Sequence, residues 1–548
     1  MRLKIARKAG FCMGVRRAVN LVLRAVAEKR HPIYTYGPLI HNPQTLKLLD
    51  SLGVKIIKNP EEDVPPGVCI VRAHGVSPEE KKALAKKHEV IDGTCPRVLR
   101  VQALAKKAAS QGKKVVIIGD KNHAEVKGIL GYAGNKGFVV SKMEDIEDLP
   151  ELNSYIVLSQ TTQDQEKFKK LSEEILKRFP NGKVINTICN ATELRQNEVR
   201  RLASICDAIV VIGGKFSANT NRLAEIARHQ GKEVYLIESP EELDLSKLRN
   251  KSRIGITAGA STPNWLINEV VDYIKMKASI PYRILKAFSF LGFLQVFNFF
   301  LLFLGLLSFL GIPFLKSKYA WLSGFVFFFL LFRYSLTHYL QKDVLPYFYS
   351  VKAKSINRHS ILIKVIIAIS LVLSVFFAIK FNPRLMGVLI GLIFLDQILK
   401  ESPLWFLWEV IFLGAISLYL YNFWTNPIFS FVFLQTVLMC VFVRFYLEVV
   451  YFQTDGFLPP SFIVCAFSYD EKKLYKIMQF LILAGILTQI PLWFISVKYA
   501  WLILPWIVGY IMILGLKARP LGQIIYLESL SVVLPLVFFL SSFGVIFK

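Results

Sequence analysis

Residues 9–19 read AGFCMGVRRAV, and the same shape returns as DGTCPRVLRVQ at 92–102 and NTICNATELRQ at 186–196. In each stretch a cysteine stands where small or turn-forming residues give way to an amphipathic helical pattern. The cysteines are Cys12, Cys95 and Cys189, and the two intervals between them are each about one small α/β unit long. Short apolar runs lie between and beyond them: KVVIIG (114–119), SYIVLSQ (154–160), KVINTIC (183–189), AIVVIGG (208–214), EVYLIE (233–238) and RIGITAGAS (253–261). They alternate with amphipathic stretches such as RVQALAKKAASQG (100–112) and LRQNEVRRLASI (194–205). Continuously apolar strands are buried on both faces, as in parallel sheets covered by helices. The pattern predicts three repeated α/β units. Ligands in such folds gather at the carboxyl ends of strands, where helix N-termini add positive potential. Three units around one axis would bring the three cysteines together.

At 548 residues the chain is too long for one compact domain, and its character changes near residue 283. Runs such as FNFFLLFLGLLSFLGIPF (297–314) begin there, and about 20 apolar residues suffice to cross a bilayer. Nine stretches qualify, at 288–312, 319–340, 361–380, 384–399, 404–424, 427–450, 476–497, 500–516 and 521–547. This predicts an α/β domain over 1–280 and an all-α, multi-pass membrane domain over 281–548. The opening residues MRLKIARKAG are basic and carry no apolar signal segment. With the N-terminus inside, Lys and Arg are richer in the inner loops, so the α/β domain is expected on the cytosolic side.

Net charge is +27, of which +15 falls in the first 280 residues. Such a surface suits an anionic lipid membrane or an acidic protein partner. No zinc finger or aromatic-basic strand signature accompanies it, so no nucleic acid is expected. Seven cysteines without a C-x-x-C pair argue against a disulfide framework. Cys69 and Cys206 lie in apolar stretches and read as core. Cys440 and Cys465 lie in or near membrane segments, with no role assigned.

Three thiolates at strand ends suit zinc, with a histidine as fourth ligand, or an iron–sulfur cluster with one iron open. Spacing alone leaves both open. The neighbouring loops add His41 in LIHNPQ, His74 in RAHGVS, and His123 with Glu125 in GDKNHAEVKG. They also add Thr161 and Thr162 in SQTT, Ser217, Ala218, Asn219 and Thr220 in GGKFSANTNRL, and Ser261 in GASTP. Histidines, hydroxyls and an amide on one rim suit a polyanionic phosphate. No G-x-G-x-x-G follows a strand, so NAD(P)H is not expected.

Taken in order, GFCMGV, HNPQ, AHGVS, TCPRV, HAEVKG, SQTT, TICNAT, SANTNRL and TAGAS resemble the 4-hydroxy-3-methylbut-2-enyl diphosphate reductases, the IspH or LytB family. The resemblance covers residues 1 to about 280. It implies a trefoil of three α/β units around a [4Fe–4S] cluster. It also implies reduction of that diphosphate to isopentenyl and dimethylallyl diphosphate, the last step of the non-mevalonate isoprenoid pathway. Carried over, Cys12, Cys95 and Cys189 become cluster ligands. His41, His74, Ser217, Asn219 and Ser261 become diphosphate ligands. His123 faces the diphosphate, Glu125 donates the proton, and Thr161 orders the substrate hydroxyl. Ala218 departs from the family, which often has a second serine there, and Thr220 stands nearby. Electrons are expected from a ferredoxin or flavodoxin.

The membrane half resembles the UbiA-type prenyltransferases in its nine spans and in two long inner loops after the second and sixth. The aspartate-rich motifs of that family, which bind Mg²⁺ and a prenyl diphosphate, are degenerate here. THYLQKDVL (337–345) places His338, Gln341 and Leu345 at the aspartate positions, with Asp343 out of register. NRHS (357–360) stands where Arg-Pro is usual, and EVVYFQTDGFLPP (448–460) gives Glu448, Tyr451 and Asp455. The reading is a membrane-tethered reductase. Its rivals are a bifunctional protein with a working prenyltransferase, a phosphate-binding regulatory domain on a transporter, and a colourless zinc hydrolase.

Overall fold

A computed structural model describes residues 2–28, 30–309, 311–315, 317–340, 356–357, 359–399, 408–417, 427–455, 471–495, 501–517 and 524–546. Internal contacts gather the chain into two compact units, Met1–Val270 and Val271–Lys548.

Strand β1 (Arg2–Ile5) and helix α1 (Met13–Ala27) open the first unit. A first run follows: β2 (Ile33–Tyr36), α2 (Pro43–Ser51), β3 (Val54–Ile57), β4 (Val68–Val71), α3 (Pro78–Ala85) and β5 (Glu89–Asp92). Helix α4 (Pro96–Ser110) leads to the second: β6 (Lys114–Ile118), α5 (Ala124–Ala133), β7 (Gly137–Val140), β8 (Tyr155–Ser159), α6 (Gln165–Arg178) and β9 (Gly182–Val184). Helix α7 (Asn190–Ile205) leads to the third: β10 (Ala208–Ile212), α8 (Ala218–His229), β11 (Glu233–Ile237) and β12 (Arg253–Ala258).

The first two runs form four-stranded sheets in the orders β3-β2-β4-β5 and β7-β6-β8-β9. The third run has only three strands, and β1 supplies the missing edge, giving β1-β12-β10-β11. All pairings are parallel, with Leu3 opposite Ile254 and Ile5 opposite Ile256 where the chain's first strand closes its last sheet. The third sheet is therefore a circular permutation of the other two. Three equivalent edge strands, β1, β5 and β9, are each followed by a cysteine and a helix.

The strand alternation explains the layering. Val116, Ile118 and Val157 pack on one face with Phe168, Leu171 and Ile175 of α6. Val115, Ile117, Ile156 and Leu158 pack on the other with Val101 and Ala105 of α4 and Val126 and Ile129 of α5. Successive side chains of a strand point to opposite faces. Each fully buried Val, Ile or Leu contributes about 1.5–3 kcal/mol, so both faces of this sheet hold helices.

The second unit is helical. Each of the nine apolar stretches contains a helix: Phe293–Phe309, Ser317–Leu340, Ser360–Phe381, Leu385–Leu399, Trp408–Ser417, Pro427–Asp455, Glu471–Leu487, Ile503–Lys517 and Ile524–Ile546. Among the described residues, Lys318–Leu340, Ser360–Phe381, Ser430–Leu447 and Leu474–Leu492 are long and apolar enough to cross a membrane. They become five if Ile280–Ser289 and Phe293–Phe309, bent by 67°, count as one span. Polar side chains join the helices internally. Asn298 Nδ2 donates to Ser531 Oγ at 2.8 Å, and Trp506 Nε1 donates to Gln435 Oε1 at 2.9 Å. Lys286 and Asp272, 2.8 Å apart and both buried, pair near the start of the unit.

Candidate active site

All three predicted cysteines occupy the N-cap of a helix: Cys12 on α1, Cys95 on α4 and Cys189 on α7. Each backbone N–H continues the sheet by one more bond. Cys12 donates to the Ala260 carbonyl (3.1 Å), Cys95 to Ala73 (3.0 Å) and Cys189 to Thr161 (2.9 Å). Each acceptor lies two residues beyond the neighbouring inner strand, β12, β4 or β8. One bond thus hangs three thiols at one register in three sheets.

The helices meet closely. A Cβ on Gly14 would lie 2.4 Å from Cys95 Sγ, so only glycine after Met13 lets the Cys12 helix approach the second thiol. Cys95 has its pKa raised by burial, opposed by the N–H groups of Arg97 and Val98, with the Cys12 and Cys189 charges adding to the rise. Cys69 and Cys206 are buried in the packed interior, and burial pushes the Cys69 thiol up to about 12. Cys465 lies outside the described residues.

Two arginines tie the cysteine loops together. Arg17 on the Cys12 helix donates to the carbonyls of Thr94 and Asp92, both at 3.0 Å. Arg195 on the Cys189 helix donates to Gly10 O (2.6 Å) and to Ala191 O (2.8 Å). Arg195 is buried, its Nε has no hydrogen-bond partner, and its guanidinium feels the Cys12 and Cys189 charges. Sequence reading missed it, because an arginine in LRQNEVRRL reads as a solvated helix face. Its burial follows only from the circular closure that puts Gly10 beside α7.

A second ring of groups follows the inner strands β2, β6 and β10. His41 precedes Asn42, the N-cap of α2, while His123 caps α5 and Ser217 caps α8. A third ring, His74, Thr161 and Ser261, follows β4, β8 and β12. The histidine rings converge, with centroids 5.0 Å apart for His41–His74, 5.3 Å for His74–His123 and 6.3 Å for His41–His123. A nitrogen from each lies within 4.8 Å of the others. Ser261 Oγ donates to the His41 carbonyl at 3.2 Å and lies 3.4 Å from Ser217 Oγ. Asn219 is only 5% exposed, yet both of its amide atoms lack a partner, and His74 Nδ1 lacks one too. Buried amides left unpaired are costly, so the pocket is built for a ligand with polar groups.

Burial and the Arg72 guanidinium lower the His41 pKa, and burial with its histidine neighbours holds His74 well below its usual value. Burial, with charge from His41, lowers His123 to about 4. The free pocket therefore presents neutral imidazoles as hydrogen-bond donors. Glu125 goes the other way. It is 1% exposed, and burial raises its pKa to about 7 even though Thr161 opposes the rise with two hydrogen bonds. The Thr161 N–H donates to Oε1 at 2.7 Å, and the Thr161 hydroxyl is 2.9 Å from Oε2. The Glu125 N–H donates to His123 Nδ1 at 3.2 Å, which leaves Nε2 of that ring for the pocket.

Two expected residues sit differently. Ala218 begins α8 without a polar atom to offer. Thr220 is fully buried, its hydroxyl pressed against Gly213 and Gly259 beneath the rim.

The fold and site define a three-unit α/β protein with three helix-capping thiols and a histidine-lined polar pocket at its strand ends. A family model for LytB protein matches residues 3–275. The 4-hydroxy-3-methylbut-2-enyl diphosphate reductase of Geobacter sulfurreducens is 42% identical over 276 residues, 50% of this chain and 97% of the relative. That of Aquifex aeolicus is 44% identical over 275 residues, 50% of this chain and 95% of the relative. A solved (E)-4-hydroxy-3-methyl-but-2-enyl diphosphate reductase, the terminal enzyme of the non-mevalonate pathway, is 44% identical, covering 50% of this chain and 99% of its own, with a TM-score of 0.41. The chain belongs to the LytB family, and its first half is an oxidoreductase.

Proposed function

We propose that residues 1–280 reduce 4-hydroxy-3-methylbut-2-enyl diphosphate to isopentenyl and dimethylallyl diphosphate, and that residues 281–548 tether this activity to a membrane. The observation that carries the reading is the ring of three thiols beside a carboxyl held near neutrality. Overall, one substrate, two electrons and two protons give one product and one water.

The residues present fit a [4Fe–4S] cluster. Three cysteines, none in a disulfide, cap three helices at one register, the Cys12 and Cys189 charges both act on Cys95, and the buried Arg195 cation offsets their charge. Cys12, Cys95 and Cys189 would hold the cluster, which when bound supplies electrons one at a time and an iron open to the substrate oxygen.

The chain's own residues do the rest. The imidazoles of His41, His74 and His123, the Ser217 and Ser261 hydroxyls and the Asn219 amide take the diphosphate, whose oxygens satisfy the unpaired amide. A protonated Glu125 donates toward the departing hydroxyl, and Thr161 holds that carboxyl in place and orders the hydroxyl. In the membrane half we favour a UbiA-like fold whose degenerate motifs retain at most prenyl diphosphate binding.

The test is anaerobic purification of the full chain, an absorption spectrum, and mass spectrometry of products after addition of substrate and reduced methyl viologen. A broad band near 400 nm and both C5 diphosphates are expected. A colourless protein containing zinc and no iron would overturn the reading.

A further inference from the structure

Arg195 carries a positive charge into the interior of the first unit with no carboxylate to meet it. It stands six residues after Cys189 on α7 and is 6% exposed. Among the described residues it makes no ion pair with Asp or Glu, whereas Arg200 and Arg201 on the same helix reach Asp164 and Glu198. Its partners are carbonyls of the two cysteine loops it joins. One is Gly10, two residues before Cys12, at 2.6 Å, and the other is Ala191, two residues after Cys189, at 2.8 Å. Gly10 has a φ of 87°, so the turn that brings its carbonyl to Arg195 depends on glycine. Nε is buried with no hydrogen-bond partner. Burial lowers the Arg195 pKa, and the Cys12 and Cys189 charges oppose that fall. A buried charge without a counter-ion is costly. A cation here therefore calls for an anion, and the two thiols whose loops it joins supply one.

We propose that Arg195 is the buried counter-ion of the thiol-held cluster and raises its reduction potential. The inference rests on the reductase reading and names a residue that tunes the electron transfer of that reading. Each electron taken up adds one negative charge to the centre. A fixed positive charge in low-dielectric surroundings stabilises that addition. Net charge and hydrogen bonds to the sulfurs are among the levers that set such potentials, and the unpartnered Nε–H leaves one donor for a sulfur. Arg17 makes a comparable clamp on the Thr94 and Asp92 carbonyls, but its side chain is exposed and water weakens its charge. The two arginines thus separate clamping from charge compensation.

The experiment uses the full chain in detergent, purified anaerobically. The EPR signal of the one-electron-reduced cluster is followed against applied potential, and iron is counted in each protein. Arg195→Gln should lower the midpoint by at least about 59 mV, a tenfold loss in the one-electron reduction constant. Arg195→Lys keeps the charge and should recover most of that shift. Iron-loaded Arg17→Gln should stay within about twofold of the parent constant. A parental midpoint in iron-loaded Arg195→Gln, or an equal drop in Arg195→Lys, overturns the counter-ion role alone. If Arg195→Gln holds too little iron to titrate, iron content decides. Recovery of iron in Arg195→Lys supports the charge, and equal loss in both overturns it, because a clamp on two carbonyls needs only the guanidinium fork. A colourless parent without iron overturns the reductase reading itself.

Discussion

In the first unit, the proposed functional side chains sit at strand ends or in the first turns of helices, repeated three times at corresponding places. In the second unit, the positions where a prenyltransferase would place its carboxylates run along long helices or lie outside the described residues. Glu448, Tyr451 and Asp455 fall on Pro427–Asp455, and His338 lies near the end of Ser317–Leu340. The difference shows how function becomes readable. A strand end fixes a side chain's position through sheet register, so a short motif there implies geometry. A residue within a long apolar helix has its surroundings set by packing that a motif does not encode.

The largest expected effect tests the threefold arrangement itself. Cys95→Ser removes a thiol from the shared register, and iron content and turnover should both fall to background. Cys69→Ser changes a thiol that packs in β4, so iron should stay near that of the parent while stability drops modestly. Counting iron in the two variants checks this. Equal iron loss in both would mean that helix caps and strand interiors are not functionally distinct here.

Next is Glu125→Gln. The amide keeps the shape and the bond from the Thr161 N–H, can donate to the Thr161 hydroxyl in place of accepting from it, and has no acidic proton to give. Iron content should survive, and turnover with methyl viologen should fall at least about a hundredfold. The sign of the pH effect follows from the raised pKa. Donation needs the protonated carboxyl, so in the parent the Glu125-dependent rate should hold below about pH 7 and decline above it. In the Gln variant that decline should vanish. A profile that keeps the same limb after substitution would assign it to another group.

Much of the first unit was legible in the sequence, and what escaped has physical causes. The cysteines, histidines and Glu125 stand in turn-rich stretches after apolar runs, so their placement at strand ends could be read directly. KVINTIC read as a strand to residue 189, but β9 stops at Val184. There the Thr187 hydroxyl takes the Ser159 N–H at 2.7 Å, a side chain substituting for the ladder. The permuted third sheet was not legible, since strand order is set by non-local pairing and β1 has no local mark of its partner. The roles of Arg17 and Arg195 depend on loop-to-loop approach between units and followed only from the structure. In the second unit, composition revealed helices in all nine stretches, because apolarity needs no register to be recognised.

The smallest expected effect concerns the second unit, where the predicted signal is no prenyl transfer. Mg²⁺ prefers hard oxygen ligands, usually carboxylates with phosphate and water. His338, Gln341 and Leu345 offer no carboxylate at the first motif, and Gln341–Leu345 lie outside the described residues. The second motif keeps Glu448 and Asp455 at two of its three positions. Without a carboxylate at the first motif, Mg²⁺ lacks the opposing ligands that would hold it on a diphosphate leaving group. Lys342, Lys352, Lys354 and Arg358, also outside the described residues, are numerous enough in that stretch to bind a diphosphate by charge alone. Charge alone favours holding the anion over ionising it, which suits capture of the reductase product. Membranes containing the full chain, given labelled prenyl diphosphates and a lipid extract, should show no Mg²⁺-dependent label in lipid. Transfer that requires Mg²⁺ and disappears in Asp455→Asn would show that helix packing restores the missing ligands. The second unit would then hold its own active site, one that its sequence motifs conceal.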